Sequence, residues 1–327
     1  MRGLSRYEVT GGVKIHRVNC VRKHLHYTST LELMTQVYPS YKKGLELILQ
    51  NRYDLNHAHF IIPSGLTSYL LWKKTGTPYV ITAHGSDVPG YNPDRFDFAH
   101  KLAHPLWKKI IAHCELVISP SEFLKEMIGQ YTDKQVEVIP NGENLVAMDQ
   151  GVSKKNQILV VTRMFKRKGV QYFLEAIQNL DTDWEILIAG DGPYLDVLKN
   201  IAGTIKPAVR FTGFLNRERL AQLYASARIF VFPSIQENFP VVLLEAMNAG
   251  CAIITTNADG CAEVVGDTGI ATEPHNALQI RQALDKLMRD PGAIEEMGGK
   301  ARQRVISFSW NNIADQYDHC FQAVLNK

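Results

Sequence analysis

Short, uninterrupted apolar runs alternate along the chain with segments whose apolar residues recur at helical spacing. In the amino-terminal half, Val13–Val18 alternates between apolar and polar residues like a half-buried strand. Further strands are predicted over Asn56–Phe60, Tyr79–Ala83, Leu116–Ser119 and Val136–Ile139. The segments between them predict helices over Leu31–Gln50, from Pro63, over Leu102–Ala112 and after Ser121. Such alternation is typical of a parallel sheet with helices on both faces.

The same alternation begins again after the polar segment Asp149–Gln157, which predicts an interdomain linker. The predicted strands of this half are Ile158–Val161, Glu185–Ala189, Val209–Phe211, Ile229–Phe232 and Ala252–Thr255. The predicted helices are Val170–Leu180, one after Pro193, Arg217–Ser226 and one from Pro240 that stops at Gly250. We expect Ala252–Thr255 to close the regular part of the chain.

Length and composition bound the class of protein. A chain of 327 residues is too long for one ordinary core and fits two domains of about 150 residues each. Its hydrophobic fraction of 45% and charged fraction of 21% are those of a soluble globular protein. The net charge is +3, and no basic block indicates nucleic acid as a partner. We expect no membrane span and no signal peptide, and therefore a cytoplasmic protein.

The cysteines are scattered and form no Cys-x-x-Cys pair. Three of them fall in or beside apolar segments. This pattern predicts buried free thiols in a reducing compartment rather than a disulfide framework or a zinc site.

Two glutamates bracket the start of the helix that follows the run Ile229–Phe232. Glu237 is predicted at the carboxyl end of that strand, where open α/β sheets place their ligands. Glu245 lies inside an otherwise apolar helix, so its carboxylate needs a fixed hydrogen-bonding partner. The alternative interpretation, two helix-capping or salt-bridged glutamates, stays open on spacing alone.

Two loops at the ends of predicted strands have the chemistry of phosphate binding. After Ile158–Val161 come Arg163, which can hold phosphate oxygens in a planar fork, and Lys168, a compact charge at a helix start. After Glu185–Ala189 come Gly190 and Gly192, which allow backbone amides to approach a ligand. Neither loop is a Walker loop or a Gly-x-Gly-x-x-Gly loop. Together with the two glutamates they line one sheet edge and predict a site for a nucleotide diphosphate.

Histidines in the first half suggest further sites. His84 follows the strand Tyr79–Ala83 and can accept a proton, bind a hydroxyl or satisfy backbone groups. His57 and His59 face the same side of a strand, as a metal pair would, but no third ligand is evident nearby. His100 and His104 are four residues apart on a helix, but a lysine stands where a zinc protease needs glutamate.

Two tryptophans, Trp72 and Trp107, each precede a pair of lysines. Such faces can rest on anionic membrane surfaces. Ordinary solvated helix ends have the same pattern and are the favoured interpretation.

An ordered set of motifs resembles the family 4 glycosyltransferases, which are retaining enzymes of GT-B fold. The set spans residues of about 80 to 265 and is far more specific than any one motif. In order, the motifs are Thr82-x-His84-Gly-x-Asp87, Ile139-Pro-Asn-Gly142, Arg163…Lys168-Gly169, Gly190-Asp-Gly-Pro193, Phe211-x-Gly213, Pro233-Ser234, Glu237-x7-Glu245-Ala-Met and Gly260-x-x-Glu263. The closing Phe308-Ser-Trp310 and the last helix are also similar to the family's tail.

The resemblance implies an α/β chain of GT-B type, with two Rossmann-like, doubly wound parallel-sheet domains that face a cleft. Residues 1–150 would form the acceptor domain, joined by the C-terminal helix 310–327, and residues 151–309 the nucleotide-sugar donor domain. The implied reaction transfers a sugar, with retention, from a nucleotide-diphosphate sugar to a saccharide or lipid-linked acceptor in cell-surface polysaccharide or glycolipid synthesis. No metal and no other cofactor are implied, and peripheral contact with the inner face of the membrane stays open.

The resemblance also implies residue roles. Arg163 and Lys168 would bind the diphosphate with Gly190 and Gly192, and Glu245 would hold the ribose. Glu237 would hydrogen-bond sugar hydroxyls, assisted by the following amides, and His84 would contact the transferred sugar from the opposite domain. A diphosphate oxygen would take the proton of the acceptor. The assisting amides belong to Asn238, Phe239 and Val241, because Pro240 has none.

The chain departs from the family pattern in three places. Glu143-Asn144 stands where the family has aspartate after the Pro-Asn-Gly turn, and Ala252 replaces a common proline. Before Tyr7–Val18 we expect no counterpart of the family's first strand, glycine-rich loop and first helix, so the first domain is predicted to be incomplete. A non-catalytic nucleotide-sugar-binding partner subunit or an inactive truncated transferase is therefore the alternative. A GT-B epimerase or phosphorylase is disfavoured, since a pyridoxal lysine site is not evident.

Overall fold

The structure, a computed structural model, describes residues 4–23, 28–145 and 152–326, with residues 93–99 described by their backbone alone. The chain divides into two compact units. The first contains the chain up to Pro120 together with Leu124–Ile139 and the segment from Asp318. The second contains Ser121–Phe123 and Pro140–Tyr317. The predicted boundary at residue 150 lies outside the described residues, and the observed division falls at Ile139.

The first unit holds a parallel sheet of four strands and an antiparallel hairpin. The hairpin strands are β1 (Tyr7–Thr10) and β2 (Val13–His16). The sheet runs in the order β3-β4-β5-β6, with β3 (Asn56–His59), β4 (Tyr79–Thr82), β5 (Leu116–Ser119) and β6 (Val136–Val138). Its helices are α1 (Thr30–Met34), α2 (Val37–Gln50), α3 (Leu66–Thr75), α4 (Pro93–His113) and α5 (Glu122–Gly129).

Three details of this unit differ from the prediction. The strand predicted over Val13–Val18 pairs with β1 in the hairpin and does not join the parallel sheet. The helix predicted over Leu31–Gln50 is two helices, α1 and α2, and a capping box of Ser29 and Glu32 marks the start of α1. Trp107 is not a solvated helix end: it is 1% exposed, and its indole N–H donates to the carbonyl of Asp87 at 3.0 Å.

The second unit holds a six-stranded parallel sheet in the order β12-β11-β10-β7-β8-β9. Its strands are β7 (Lys155–Val161), β8 (Glu185–Ala189), β9 (Val209–Gly213), β10 (Ala227–Phe232), β11 (Ala252–Thr256) and β12 (Gly269–Thr272). Its helices are α6 (Val170–Ala176), α7 (Leu195–Ala202), α8 (Arg217–Ser226), α9 (Val241–Asn248), α10 (Gly260–Val265), α11 (Ala277–Arg289), α12 (Pro291–Val305) and α13 (Trp310–Leu325), of which α13 continues into the first unit.

The apolar runs are uninterrupted because both faces of this sheet are buried. Along β7, Ile158 and Val160 face one apolar layer, while Leu159 and Val161 face the other. The expectation that Ala252–Thr255 closes the regular part is wrong. After β11 the chain forms α10, β12, α11 and α12, and the amphipathic α11 buries Ile280 and Leu284 against the sheet.

The linker predicted over Asp149–Gln157 is only partly observable. Residues 149–151 lie outside the described residues, and β7 already begins at Lys155. All five cysteines are free, and Cys114, Cys251 and Cys261 are buried, as predicted. Within the described parts of the chain, no helix has the length and apolar character that a membrane span requires.

Candidate functional site

The strand order of the second sheet reverses between β7 and β10, because the chain leaves β7 toward β9 on one side and reaches β12 on the other. In open α/β sheets, ligands bind outside the carboxyl ends of the strands at such a reversal. Two loops meet there, one after β7 and one after β10. They contain most of the residues that the sequence predicted for diphosphate and sugar.

Backbone contacts lock these two loops together. The amide of Ile235 donates to the carbonyl of Arg167 at 2.9 Å. Gly169 has a φ of +69°, and a Cβ there would lie 1.8 Å from the carbonyl oxygen of Pro233. Only glycine allows this approach. The backbone positions of Lys168 and Glu237 are therefore fixed by the packing of the two loops.

Lys168 and Glu237 form an ion pair across the two loops. The lysine ammonium donates to Oε1 of Glu237, and the hydroxyl of Ser234 donates to the same oxygen at 2.9 Å. The Lys168 side chain is 9% exposed and that of Glu237 is 13% exposed. Burial lowers the pKa of Lys168, and the carboxylate of Glu237 opposes that shift. Glu237 is thus salt-bridged, as the alternative interpretation has it, and it also lies at the edge of the sheet where ligands bind.

Positive charge is concentrated around this pair. Arg163 is exposed, and its guanidinium lies 5.5 Å from the centre of the Phe165 ring. The charges of Arg167 and Arg163 both act to lower the pKa of Lys168. Because these cations repel one another, the bound state of a multiply charged anion at this sheet edge would be favoured electrostatically.

Gly190 and Gly192 pack two loops closely together, and their contact with a diphosphate stays a prediction. The amide of Gly190 donates to the carbonyl of Gly213 at 2.9 Å, and that of Gly192 donates to the Asp191 carboxylate at 2.7 Å. A Cβ on Gly190 would lie 1.8 Å from the carbonyl oxygen of Thr162, and one on Gly192 would lie 2.5 Å from that of Met164. These glycines let the loop after β8 pack against the loop that carries Arg163.

The loop from Glu237 to the first turn of α9 is supported from α10. The amide of Gly260 donates to the carbonyl of Glu237 at 3.1 Å, and a Cβ on Gly260 would lie 1.5 Å from the carbonyl oxygen of Asn238. Asn238 and Phe239 are each 8% exposed. Val241 begins α9, and the amide at this first helical position has no intrahelical acceptor. Sequence reasoning placed Gly260 in a motif but missed that it shapes this loop.

Glu245 lies one turn into α9 and is half-buried. Burial raises its pKa, while the Tyr224 hydroxyl and the charge of Arg217 act in the opposite direction. The Tyr224 hydroxyl is buried and makes no hydrogen bond of good geometry among the described residues. Glu143, also buried, has its pKa raised by burial and then by the charge of Glu245. Sequence reasoning missed Tyr224 and Arg217, which come from α8 and have no motif of their own.

His84 belongs to the first unit and follows β4. The carboxylate of Asp87 accepts from the amides of His84 at 2.9 Å and Ile61 at 2.7 Å, and Asp87 is buried. Gly85 has a φ of +98°, and a Cβ there would meet the Tyr91 ring at 2.9 Å. The backbone of His84 is therefore fixed. Its Nε2 lies 3.0 Å from Nδ1 of His59.

The rings of His57 and His59 have their centres 4.4 Å apart and their planes tilted by 45°. Nε2 of His57 lies 2.8 Å from the Thr82 hydroxyl, a hydrogen bond that a metal ligand would not make from that atom. Among the residues that the structure describes, no group of three histidine, cysteine, aspartate or glutamate side chains is placed to hold a metal ion.

Two family models together cover most of the chain. Residues 4–145 match the model described as Glycosyltransferase Family 4, and residues 147–304 match the model described as Glycosyl transferases group 1. A relative from Escherichia coli, the O-antigen chain mannosyltransferase B, is 31% identical over 263 residues, which are 72% of this chain and 68% of the relative. The chain belongs to the family 4 glycosyltransferases.

Solved structures show the fold of this family 4 glycosyltransferase. Sucrose-phosphate synthase from Thermosynechococcus elongatus matches with a TM-score of 0.82 at 21% identity, over 99% of this chain and 87% of that one. HepE from Anabaena, solved in complex with UDP-glucose, matches with a TM-score of 0.72 at 18% identity, over 88% of this chain and 82% of that one. The chain has the GT-B fold, with two Rossmann-like α/β domains, as the motifs predicted.

Proposed function

We propose that this glycosyltransferase moves a sugar from a nucleotide-diphosphate sugar to a saccharide or lipid-linked acceptor, with retention of anomeric configuration. The observation that carries the proposal is the group of cations at the reversal of the second sheet. Arg163 and Lys168 sit where an anion binds in such folds, and their charges suit the two phosphates of a nucleotide sugar.

Glu237 is the proposed contact to the sugar. Its Oε1 takes hydrogen bonds from Lys168 and Ser234, which fixes the carboxylate and directs Oε2 to sugar hydroxyls. Asn238, Phe239 and the amide of Val241 continue the same wall of the site. The two proposed catalytic residues are Glu237 and His84, and His84 is the second proposed contact to the transferred sugar.

Glu245 is the proposed ribose contact. Two vicinal hydroxyls can both donate to one carboxylate, which would offset the cost of desolvating it inside α9. The ribose would thus be the hydrogen-bonding partner that the Glu245 carboxylate needs inside an otherwise apolar helix.

The proposed chemistry needs no metal, because Arg163 and Lys168 neutralise the charge that develops on the departing diphosphate. In a retaining reaction the acceptor attacks from the face of the leaving group. A diphosphate oxygen then takes the acceptor's proton, so that no side chain has to act as the base.

Two relatives support the choice of substrates. HepE was solved with UDP-glucose, and the Escherichia coli relative is named for the O-antigen chain. We infer a nucleotide-sugar donor and an acceptor from cell-surface polysaccharide or glycolipid synthesis. A cytoplasmic location at the inner face of the membrane fits such an acceptor. The side chains of Lys73 and Lys74, beside the half-buried Trp72, are exposed and could contact anionic lipid.

The test is to incubate the purified protein with UDP-, GDP- and ADP-sugars and saccharide or lipid-linked acceptors, with and without EDTA. We expect nucleotide release with a preferred donor, no effect of EDTA, an unchanged anomeric configuration by proton NMR, and loss of turnover in Glu237→Ala. Binding of a nucleotide sugar without turnover would favour the alternative, a non-catalytic binding subunit. The proposal would be overturned if no donor gave nucleotide release and no donor gave a thermal shift.

A further inference from the structure

Two imidazoles meet at the carboxyl ends of neighbouring strands. His59 is the last residue of β3 and is paired in register with Thr82 of β4, so His84 lies just beyond it. Nδ1 of His59 and Nε2 of His84 are 3.0 Å apart, and the ring centres are 5.2 Å apart. The ring of Phe60 lies 4.6 Å from that of His84. The His84 side chain is therefore held by one directed contact and one packing contact.

A nitrogen–nitrogen distance of 3.0 Å is a hydrogen bond and requires one shared proton. One ring donates and the other accepts, because a neutral imidazole has one N–H and one bare nitrogen. In either arrangement Nε2 of His84 is committed to His59. The proton state of Nδ1 of His84 then follows from which ring donates.

We propose that His59 is a positioning residue, which binds Nε2 of His84, fixes its tautomer and leaves Nδ1 to meet a hydroxyl of the transferred sugar. This inference rests on the proposed role of His84 as a sugar contact. It gives a role to the second histidine of the His57-Ala-His59 strand, a pair for which the sequence offers no third metal ligand nearby.

The surroundings suit a neutral, directional pair. Burial lowers the pKa of His84, and burial followed by the charge of His84 lowers the pKa of His59. Both rings are thus favoured as neutral near pH 7, the state in which one can donate to the other. The ring of His57 contacts that of His59 and is itself hydrogen-bonded to the Thr82 hydroxyl, which restricts the rotation of the His59 ring.

Three substitutions at His59 separate the hydrogen bond from packing. His59→Asn places an amide where Nδ1 was and can keep the bond to His84. His59→Gln places its amide nearer the former Nε2, away from His84. His59→Phe keeps a ring but offers no hydrogen bond. His113→Asn, at an exposed histidine of α4, is the matched control.

The first readout is the nitrogen-15 spectrum of the His84 ring in protein without substrate, at neutral pH. We expect one protonated and one bare nitrogen in wild type, His59→Asn and His113→Asn, and shifts averaged between two tautomers in His59→Phe and His59→Gln. Averaged shifts in wild type, or a fixed tautomer in His59→Phe, would overturn the proposal. This spectrum needs no turnover, so it decides the role of His59 even if no donor is accepted.

The second readout is steady-state transfer with the preferred donor. We expect His59→Phe to lower kcat by about 10- to 100-fold, the range typical of residues that orient a contact residue, with a smaller change in KM. His59→Asn should stay within about threefold of wild type. An equal loss in His59→Asn and His59→Phe would mean that the hydrogen bond is not what matters and would count against the proposal.

Discussion

Lys168 and Glu237 are 69 positions apart in the chain and form an ion pair across the reversal of the second sheet, with side chains that are 9% and 13% exposed. Breaking such a pair leaves a charge in a poorly solvated place. We therefore expect Glu237→Gln to lower the free energy of unfolding by about 2–4 kcal/mol in urea titrations. Lys168→Met in the Glu237→Gln background should recover part of that loss, because it removes the unpaired cation.

The matched control for this prediction is the exposed pair of Lys206 and Asp181, with side chains 58% and 90% exposed. Asp181→Asn should change stability by no more than about 0.5 kcal/mol. Equal effects of Glu237→Gln and Asp181→Asn would show that the Lys168 pair is not desolvated as described.

Gly169→Ala is expected to be strongly destabilising. The new Cβ would lie 1.8 Å from the carbonyl oxygen of Pro233, at a φ of +69° that alanine adopts at a cost. We expect a loss of about 3 kcal/mol or more. Gly299→Ala, on an exposed face of α12 with open space around it, should instead stabilise by about 0.5–1 kcal/mol. A Gly169→Ala protein as stable as wild type would contradict the locked loops.

Glu245→Gln should change the stability of the ligand-free protein and its affinity for nucleotide in opposite directions. Burial raises the pKa of Glu245, so ionising it at neutral pH costs stability in the protein without ligand. Gln removes that cost but is a poorer acceptor for two ribose hydroxyls. We expect Tm without ligand to rise and nucleotide affinity to fall, relative to wild type and to the exposed control Glu295→Gln. A lower Tm together with unchanged affinity would contradict both assignments.

The elements that the sequence predicted best are those buried on both faces. The predicted bounds of the strands β5 and β8 coincide with the observed ones, because short apolar runs there end at turn residues. Those of α8 also coincide, although this helix is buried only at its end. The elements after β11 were missed, although Ile280, Ala283, Leu284 and Leu287 of α11 show helical spacing. The hairpin of β1 and β2 had a readable signal in Gly11 and Gly12, which both adopt positive φ in its turn.

The sequence predicted which residues form the candidate site but not which of them contact one another. Arg163, Lys168 and Glu237 are visible as charges at strand ends. The pairing of Lys168 with Glu237 requires that β7 and β10 be neighbours, which the strand order decides and local pattern does not. For the same reason Tyr224 and Arg217 were missed beside Glu245, and so was the close packing of Gly190 against Thr162.

His57 predicts a pH dependence of stability. Burial lowers its pKa from 6.5 to about 4, with His59 and His84 adding to the shift. As pH falls through this window, the unfolded chain takes up a proton that the folded chain does not. The free energy of unfolding should therefore fall by at most about 3 kcal/mol between pH 6.5 and pH 4 from this group alone.

His57→Gln isolates that contribution, because its amide can keep the hydrogen bond to Thr82 without titrating. We expect a shallower fall in stability over the same pH range in His57→Gln, and the wild-type slope in the exposed control His113→Gln. Identical slopes in all three proteins would show that His57 is not desolvated.

The most direct test of the account is calorimetric titration of the protein with UDP, GDP and ADP, comparing wild type with Lys168→Ala and with Lys206→Ala, a control at an exposed ion pair. We predict one site per chain with a preferred nucleotide, binding unaltered in Lys206→Ala, and an affinity reduced by about 10- to 100-fold in Lys168→Ala, as expected for a lost charged hydrogen bond. Equal affinity in wild type and Lys168→Ala, or no binding of any nucleoside diphosphate to wild type, would contradict the assignment of this sheet edge as the donor site.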